Sequence, residues 1–475
     1  MQLSDNANTT LKKNVIGEFR LIWQAMGTLS IAADAAYLLT GVALFALGAT
    51  PLSILLGVVF YLFIMNTGYQ FSKYISSAGS YFTFAYKSLG KTAGVFQAWN
   101  MFFYSILGYA SFGFLGLASF ISLINPSLSS TWVWIAIAAA AAATAFLFTY
   151  FGIKVATDYQ ILGGLIEISV LIAGSMAIII SAGHANTIAV FTTKYIPGGI
   201  SQLFYSMIYS VVLFFGTTLS ITSLAEETKN SHVAVRKALI STVIVAGITL
   251  ILVSYAFTIG YGPANMANFA TAPDPGIMLF KKVSYILFIL LIAVTINSFM
   301  GYNVSVSNAN SRVYYSFAKS GILFLPKSLS KVHHKYGSPS ISAIFVFGLS
   351  LVIALIFGLI FGPVTGGLVM LFANGYSAYT EHIVASIGLP FYAKKMKDFH
   401  LIQHLIFPVI AIGVLIAVMF FTLYPAPPSY PYNIAAYVGI AWIPISAIMT
   451  FVEMKMHPEK IEMYMQETAA QGAEA

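Results

Sequence analysis

An all-α polytopic bundle of twelve membrane-spanning helices is the fold class this sequence predicts, on three observations. The chain is 59% hydrophobic and 8% charged, with a mean hydropathy of +0.84, against about 25% charge in soluble domains. Apolar runs longer than the ~20 residues a helix needs to cross a bilayer recur along its length. The cations also sort between alternate loops. With both termini cytoplasmic, 20 of the 23 Lys and Arg lie inside or at inner span ends, and only Lys194, Lys281 and Lys282 lie outside. By the positive-inside rule, the net charge of +8 is an orientation signal for a multi-pass protein of the cell membrane, and no nucleic-acid partner is expected. The polar first twenty residues precede an apolar run too long for a signal core, so no cleavable leader is expected. The absence of Cys excludes a disulfide framework, a thiol nucleophile and a Cys-ligated metal.

The predicted spans are 21–48, 51–75, 93–124, 131–151, 160–183, 201–224, 234–261, 281–308, 341–361, 364–391, 401–424 and 433–454. The first carries Asp34 amid small residues, SIAADAAYLL, with no Lys or Arg within the run. The third is aromatic-rich, with Trp99, Phe102, Phe103, Tyr104 and Tyr109, which suits packing, an interfacial belt or the gating of a pocket. The fourth includes the Ala-rich run 136–145, a small-residue face for close helix packing. The fifth carries Glu167. The sixth is interrupted by Gly216, Thr217, Thr218, Ser220, Thr222 and Ser223. In the eighth, Ser298, Gly301, Ser305 and Asn308 recur at spacings of three, four and three, so they share one helix face. That face is either a packing seam or the lining of a cavity. The tenth carries Glu381 beside His382. The inner connection from Ser311 to Ser340 and the outer one from Tyr261 to Phe280 are the longest.

Of the 15 acids, only Asp34, Glu167 and Glu381 fall well within spans, and no Lys or Arg lies deep enough to pair with them. A charged carboxylate at the centre of a bilayer costs at least ~2.5–3.5 kcal/mol on insertion scales. Such acids therefore mark a proton, cation or substrate site, or else persist as neutral hydrogen-bonding groups. The first and sixth spans, both interrupted, are five apart, so the chain reads as two five-helix repeats of opposite orientation. Paired interrupted helices at matching places in two halves point to the central site of a transporter. His400 and His404 have i,i+4 spacing but no HExxH context, and no metal or cofactor is expected.

Three loop segments carry a family resemblance. LAEETKNSHVAVRKAL at Leu224 to Leu239, the stretch from Ser311 to Ile344, and SSAGSYFTFAYKSLGKTAGVFQAW at Ser76 to Trp99 resemble the amino acid–polyamine–organocation (APC) superfamily. The resemblance implies a leucine-transporter-type fold of two inverted five-helix repeats plus two helices. Its divisions would be a cytoplasmic tail at 1–20, repeats at 21–183 and 201–391, two added helices at 401–454, and a cytoplasmic tail at 455–475. It further implies a substrate site at the unwound centres of spans one and six, where half-helix ends present backbone amides and carbonyls. Carried over, that site is Ala32, Ala33, Asp34 and Ala35 with Phe215, Gly216, Thr217 and Thr218. Many family members carry Gly-x-Gly where this chain has Ala-Ala-Asp-Ala, and an ionised Asp34 favours an amine over a carboxylate. Glu167 stands fifteen residues after Gly152, where some proton-coupled relatives carry a Lys, so it is a candidate coupling group together with Asp34.

The expected activity is secondary transport: import of an amino acid or organic amine by alternating access, coupled to protons, with sodium as the alternative ion. An exchanger needs the same site without net proton movement. A channel needs a continuous polar pore instead of two central breaks. A membrane enzyme needs a clustered acid–base or metal constellation, which the sequence does not offer.

Overall fold

The apolar runs are helices in the computed structural model, which describes residues 10–424 and 429–456. The first nine residues of the expected N-terminal tail and all but two of the expected C-terminal tail lie outside these. The first long helix, α1, begins as Glu18–Leu29, breaks at Ser30, and resumes as Ile31–Ala33, a π-helical turn Asp34–Leu38, and Leu39–Ala46. It is followed by α2 (Thr50–Phe71), a short helix Tyr81–Leu89, and α3 (Lys91–Gly108, continuing through a π-helical turn into Gly116–Ile124). Then come α4 (Thr131–Tyr150), α5 (Ile153–Ala182) and a divided α6 (Gly199–Val212, then Thr217–Thr222). The chain continues as α7 (Ser231–Tyr261), α8 (Tyr285–Lys319), α9 (Ser340–Phe361), α10 (Pro363–Lys395), α11 (Phe407–Phe421) and α12 (Tyr432–Met456). The connection before α8 holds two short helices, Met266–Thr271 and Pro275–Val283.

Ten helical segments are long and apolar enough to cross a membrane among the described residues, against the twelve spans expected. The difference has two sources. Glu18–Phe71 counts as one segment of 54 residues, too long for a single ~20-residue crossing, and Leu47 (φ 48°) marks the bend between α1 and α2. The 33-residue α10 falls short on apolarity, because Asn374, Ser377, Thr380, Glu381 and His382 are buried in it. Exposed apolar side chains such as Leu162, Ile180, Ile248 and Ile360 supply the outer surface. Backbone polar groups are satisfied within helices, as hydrocarbon demands. The Ala run of α4 packs as expected: Ala138, Ala141, Ala142 and Ala145 are buried.

One boundary needs correction. The eighth span was expected to end at residue 308, with a loop from Ser311, but α8 continues to Lys319. Arg312 is what hides this from an apolarity reading. Its guanidinium is fully buried and paired with the equally buried Glu227, with Nε 2.7 Å from Oε2 and Nη2 3.3 Å from Oε1. Tyr314, Tyr315 and Phe317 beyond it are buried as well.

Main-chain and ionic contacts join several segments at the end of the bundle where α1 begins. Ile16 forms a parallel bridge with Thr228, through Val15 N–H and Ile16 N–H to Glu227 O and Lys229 N–H to Ile16 O. Arg20 pairs with Asp158 at 2.6 Å, Lys73 with Asp398 at 2.7 Å, and the Tyr74 hydroxyl also donates to Asp398. The Lys73 and Tyr74 donors hold the Asp398 carboxyl well below the usual carboxylate range. Burial instead pushes Glu226 up, against the Ala78 N–H that its carboxylate accepts.

Candidate functional site

Breaking a helix frees backbone donors, since the first N–H groups after a break lose their partners four residues back. Ser30 takes a left-handed conformation (φ 46°, ψ 59°), and α1 restarts at Ile31. Two of the freed donors find partners far away in sequence. Ala32 N–H donates to Glu167 Oε1 at 2.7 Å, and Ala33 N–H donates to Ser298 Oγ at 3.2 Å. The Ser298 hydroxyl in turn donates to the same Glu167 oxygen at 2.9 Å. The buried Glu167 carboxylate of α5 thus sits on a helix N-terminus, where partial positive charge favours an anion. Asp34 follows within the same turn. It is buried, its Oδ2 has no hydrogen-bond partner among the described residues, and it stands within electrostatic range of Glu167 and Tyr302.

The second break lies in α6 between Val212 and Thr217, where Gly216 has φ 90°. An L-residue is disfavoured in that conformation, and a Cβ there would meet Thr28 Cγ2 of α1 at 2.8 Å. Replacing Gly216 with Ala is therefore expected to cost about 1–2 kcal/mol in backbone strain, with the contact to Thr28 in addition. Thermal unfolding should register the loss, and ligand binding should weaken by about tenfold. An unchanged melting curve together with unchanged affinity would remove Gly216 from the site.

Two narrow cavities flank the breaks. One, of about 40 Å³, is lined by Thr28, Tyr104, Tyr109, Phe215, Gly216 and Tyr302, among others. The other, of about 10 Å³, lies between α1, α5 and α8 and is lined by Trp23, Gly27, Gln160, Glu167, Asn297 and Ser298, among others. At the wall of the first cavity, which Thr28 and Ser220 line, a polar network joins α1, α6 and α8. Thr28 donates to Ser220 Oγ at 2.7 Å, Gln24 Nε2 to Ser305 O at 2.8 Å, and Asn308 Nδ2 to Gln24 Oε1 at 3.2 Å. Gly27 permits this approach, because a Cβ on it would lie 2.3 Å from Gln160 Oε1 and 2.4 Å from Ser305 Oγ.

The candidate residues divide accordingly. Phe215 and Gly216 line the larger cavity, and Glu167 lines the smaller one while bonding Ala32. Ala33 bonds Ser298. Asp34, Ala35, Thr217 and Thr218 are buried beside the breaks and line neither cavity. Tyr104 and Tyr109 belong to the aromatic run of the third span, and Ser298 and Gly301 to the polar face of the eighth. That face is turned toward α1 and α5: Gly301 O accepts from Gln160 at 2.7 Å, while Ser298, Ser305 and Asn308 bond as described. Tyr302, Gln160 and Asn297 had no signal of their own, since one tyrosine or amide in a long apolar helix is unremarkable. His404 accepts from His400 N–H at 2.8 Å, so one role of the i,i+4 pair is to cap the turn before α11.

The sequence profile of a known family, described as amino acid permease, matches residues 20–463. The chain belongs to the amino acid permease family. The expected membership of the APC superfamily is thereby met, and this permease is a multi-pass membrane protein and a secondary transporter. Its fold is of the leucine-transporter type. MhsT, solved in complex with L-phenylalanine, is similar with a TM-score of 0.60 at 12% identity, over 86% of this chain and 100% of that one. The manganese transporter of Eremococcus coleocola, solved with an aromatic bis-isothiourea substituted compound, is similar with a TM-score of 0.54 at 13% identity, over 96% and 99%. No curated protein matches the sequence.

Proposed function

We propose that this permease imports an amino acid or organic amine together with protons, by rocking one group of helices against the other around the two breaks. The single observation that supports this most is the Glu167 carboxylate on the free N–H of Ala32, with Asp34 beside it. Two buried acids without a Lys or Arg partner among the described residues attract a cationic amine or a proton. A substrate carboxylate would compete with Glu167 for the same backbone donors. In this reading the amine end of the substrate faces Asp34, the Phe215–Thr218 segment holds the rest, and Glu167 gives up or takes a proton as the substrate enters and leaves. The repeats at 21–183 and 201–391 would move against each other, with the termini on the cytoplasmic side of the cell membrane.

The test is uptake by the purified protein in proteoliposomes, after a thermal-shift screen of amines and amino acids has supplied the substrate. The expected result is accumulation driven by an imposed inward proton gradient. Asp34→Asn is expected to abolish that accumulation or to make it insensitive to pH while the protein still folds. Unchanged uptake with an unchanged pH profile would end the coupling role. Movement only in exchange for internal substrate, with no response to the proton gradient, would replace import by exchange.

A further inference from the structure

The third intramembrane acid, Glu381 of α10, is absent from both cavities. It is 2% exposed, and its Oε1 has no hydrogen-bond partner among the described residues. Its surroundings share the same deficit. Gln97 of α3 donates its Nε2 to the main-chain oxygen of Glu381 at 2.9 Å, which fixes the amide orientation and leaves Gln97 Oε1 buried without a donor. Asn100, one turn along α3, donates Nδ2 to Phe96 O at 2.9 Å and leaves its own Oδ1 buried and unpaired. Ser377, four residues before Glu381 and on the same face of α10, has a buried hydroxyl without a partner. Three acceptor oxygens and a hydroxyl on the two packed helices α3 and α10 are thus buried without partners among the described residues. A buried unsatisfied polar group costs about 1–3 kcal/mol, so such a cluster calls for an occupant.

We infer that Glu381 binds a proton and, with Gln97, Asn100 and Ser377, forms a proton site separate from Asp34 and Glu167. The proton converts the carboxylate to an acid whose O–H supplies the missing donor to an amide oxygen. The chemistry favours a proton over a metal cation, because α3 and α10 are regular helices at these residues and their carbonyls are engaged within the helix. Among the described residues, no Lys, Arg or His on the elements packed against α10 forms an ion pair with Glu381. The titratable groups within electrostatic range of it are Tyr81 of the short helix, Tyr104 of α3 and Tyr314 of α8, with Tyr61 of α2 beside Tyr81, and α9 carries none. Glu453 of α12 is held by Trp99 Nε1 and Leu323 N–H, and His404 by His400 N–H. Lys87, Lys91, Lys394, Lys395 and Lys455 of α12 sit at helix ends.

The site is connected to the larger cavity. His382, adjacent on α10 and so facing a different side, bonds the Tyr81 hydroxyl through Nδ1 at 3.0 Å and stacks on Phe215 with ring centroids 5.1 Å apart. Phe215 lines the cavity at the α6 break. A change in the charge of Glu381 therefore acts on the helix that supports a wall of the cavity.

Infrared spectroscopy of the reconstituted protein tests the assignment without needing the transported substrate. At neutral pH the wild type should show a protonated-carboxyl carbonyl band that is lost in Glu381→Gln. The same band should persist in Asp34→Asn and in Glu167→Gln, which separates this site from the proposed coupling pair. Gln97→Leu, which leaves the acid intact, should shift the band by removing an acceptor, and this arm stands even if Glu381→Gln does not fold. A band that ignores both Glu381→Gln and Gln97→Leu overturns the proposal. So does a wild-type band that disappears when sodium is added at constant pH, which would assign a metal cation.

Discussion

Removing either member of the Glu227–Arg312 pair is expected to produce the largest loss of stability of any single substitution in this protein. Both side chains are essentially inaccessible, with side-chain exposures of 2% and 0%, and two hydrogen bonds join them. Removing one partner of such a pair leaves an uncompensated buried charge and costs about 3–5 kcal/mol, whereas replacing both with apolar groups is often close to neutral. Glu227→Ala and Arg312→Leu should each lower stability by that amount in thermal unfolding, and the double variant Glu227→Met/Arg312→Leu should regain most of it. The pair also joins the segment after α6 to α8, beside the bridge between Ile16 and Thr228. Its loss should loosen that end of the bundle. The chain has no Cys, so a single Cys at Leu219, which lines the larger cavity, reports access cleanly. Its labelling by a membrane-impermeant thiol reagent from the N-terminal side should rise severalfold in the Glu227→Ala background. Labelling that stays at the level of the parent would mean that the pair stabilises the fold without holding that end shut.

How legible these features were in the sequence follows from where their causes lie. The break in α6 was visible because Gly216 is both a residue suited to positive φ and the centre of a Gly-Thr-Thr interruption. The break in α1 was visible only as an anomaly of charge. It falls at Ser30, four residues before Asp34, where the chain has neither Gly nor Pro; the nearest glycine is Gly27, inside the helix before the break. Its position is stabilised by Glu167 and Ser298, which lie 135 residues from Ala32 and 265 from Ala33 in the sequence. No local pattern carries that information. Arg312 misled for the opposite reason. A lone arginine beside Ser and Asn reads as the start of a loop, yet Glu227 neutralises it inside the bundle and the helix runs on. The polar face of α8 was legible as a face, but its partners on α1 and α5 were not.

Glu167→Gln is expected to have the largest effect on function with the least effect on folding, and comparison with Glu167→Ala explains why. The carboxylate does two things at once: it accepts from Ala32 N–H and the Ser298 hydroxyl, and it can carry a charge. Gln keeps an acceptor oxygen for both donors and removes only the charge. Ala removes the acceptor as well, and leaves a buried N–H that costs about 1–3 kcal/mol. Glu167→Gln should therefore unfold near the wild-type temperature while gradient-driven uptake falls by at least about tenfold, or ~1.4 kcal/mol in barrier height, and loses its dependence on pH. Glu167→Ala should show the same loss of uptake and in addition a lower unfolding temperature. Because Asp34 and Glu167 are close enough to interact electrostatically, their functional effects should not add. The double variant Asp34→Asn/Glu167→Gln should be little worse than the more severe single one, since groups acting on one shared proton or one shared amine fail together. Simple additivity of the two losses would instead place the acids in separate roles, and full uptake by Glu167→Gln with an intact pH profile would reduce Glu167 to a helix cap.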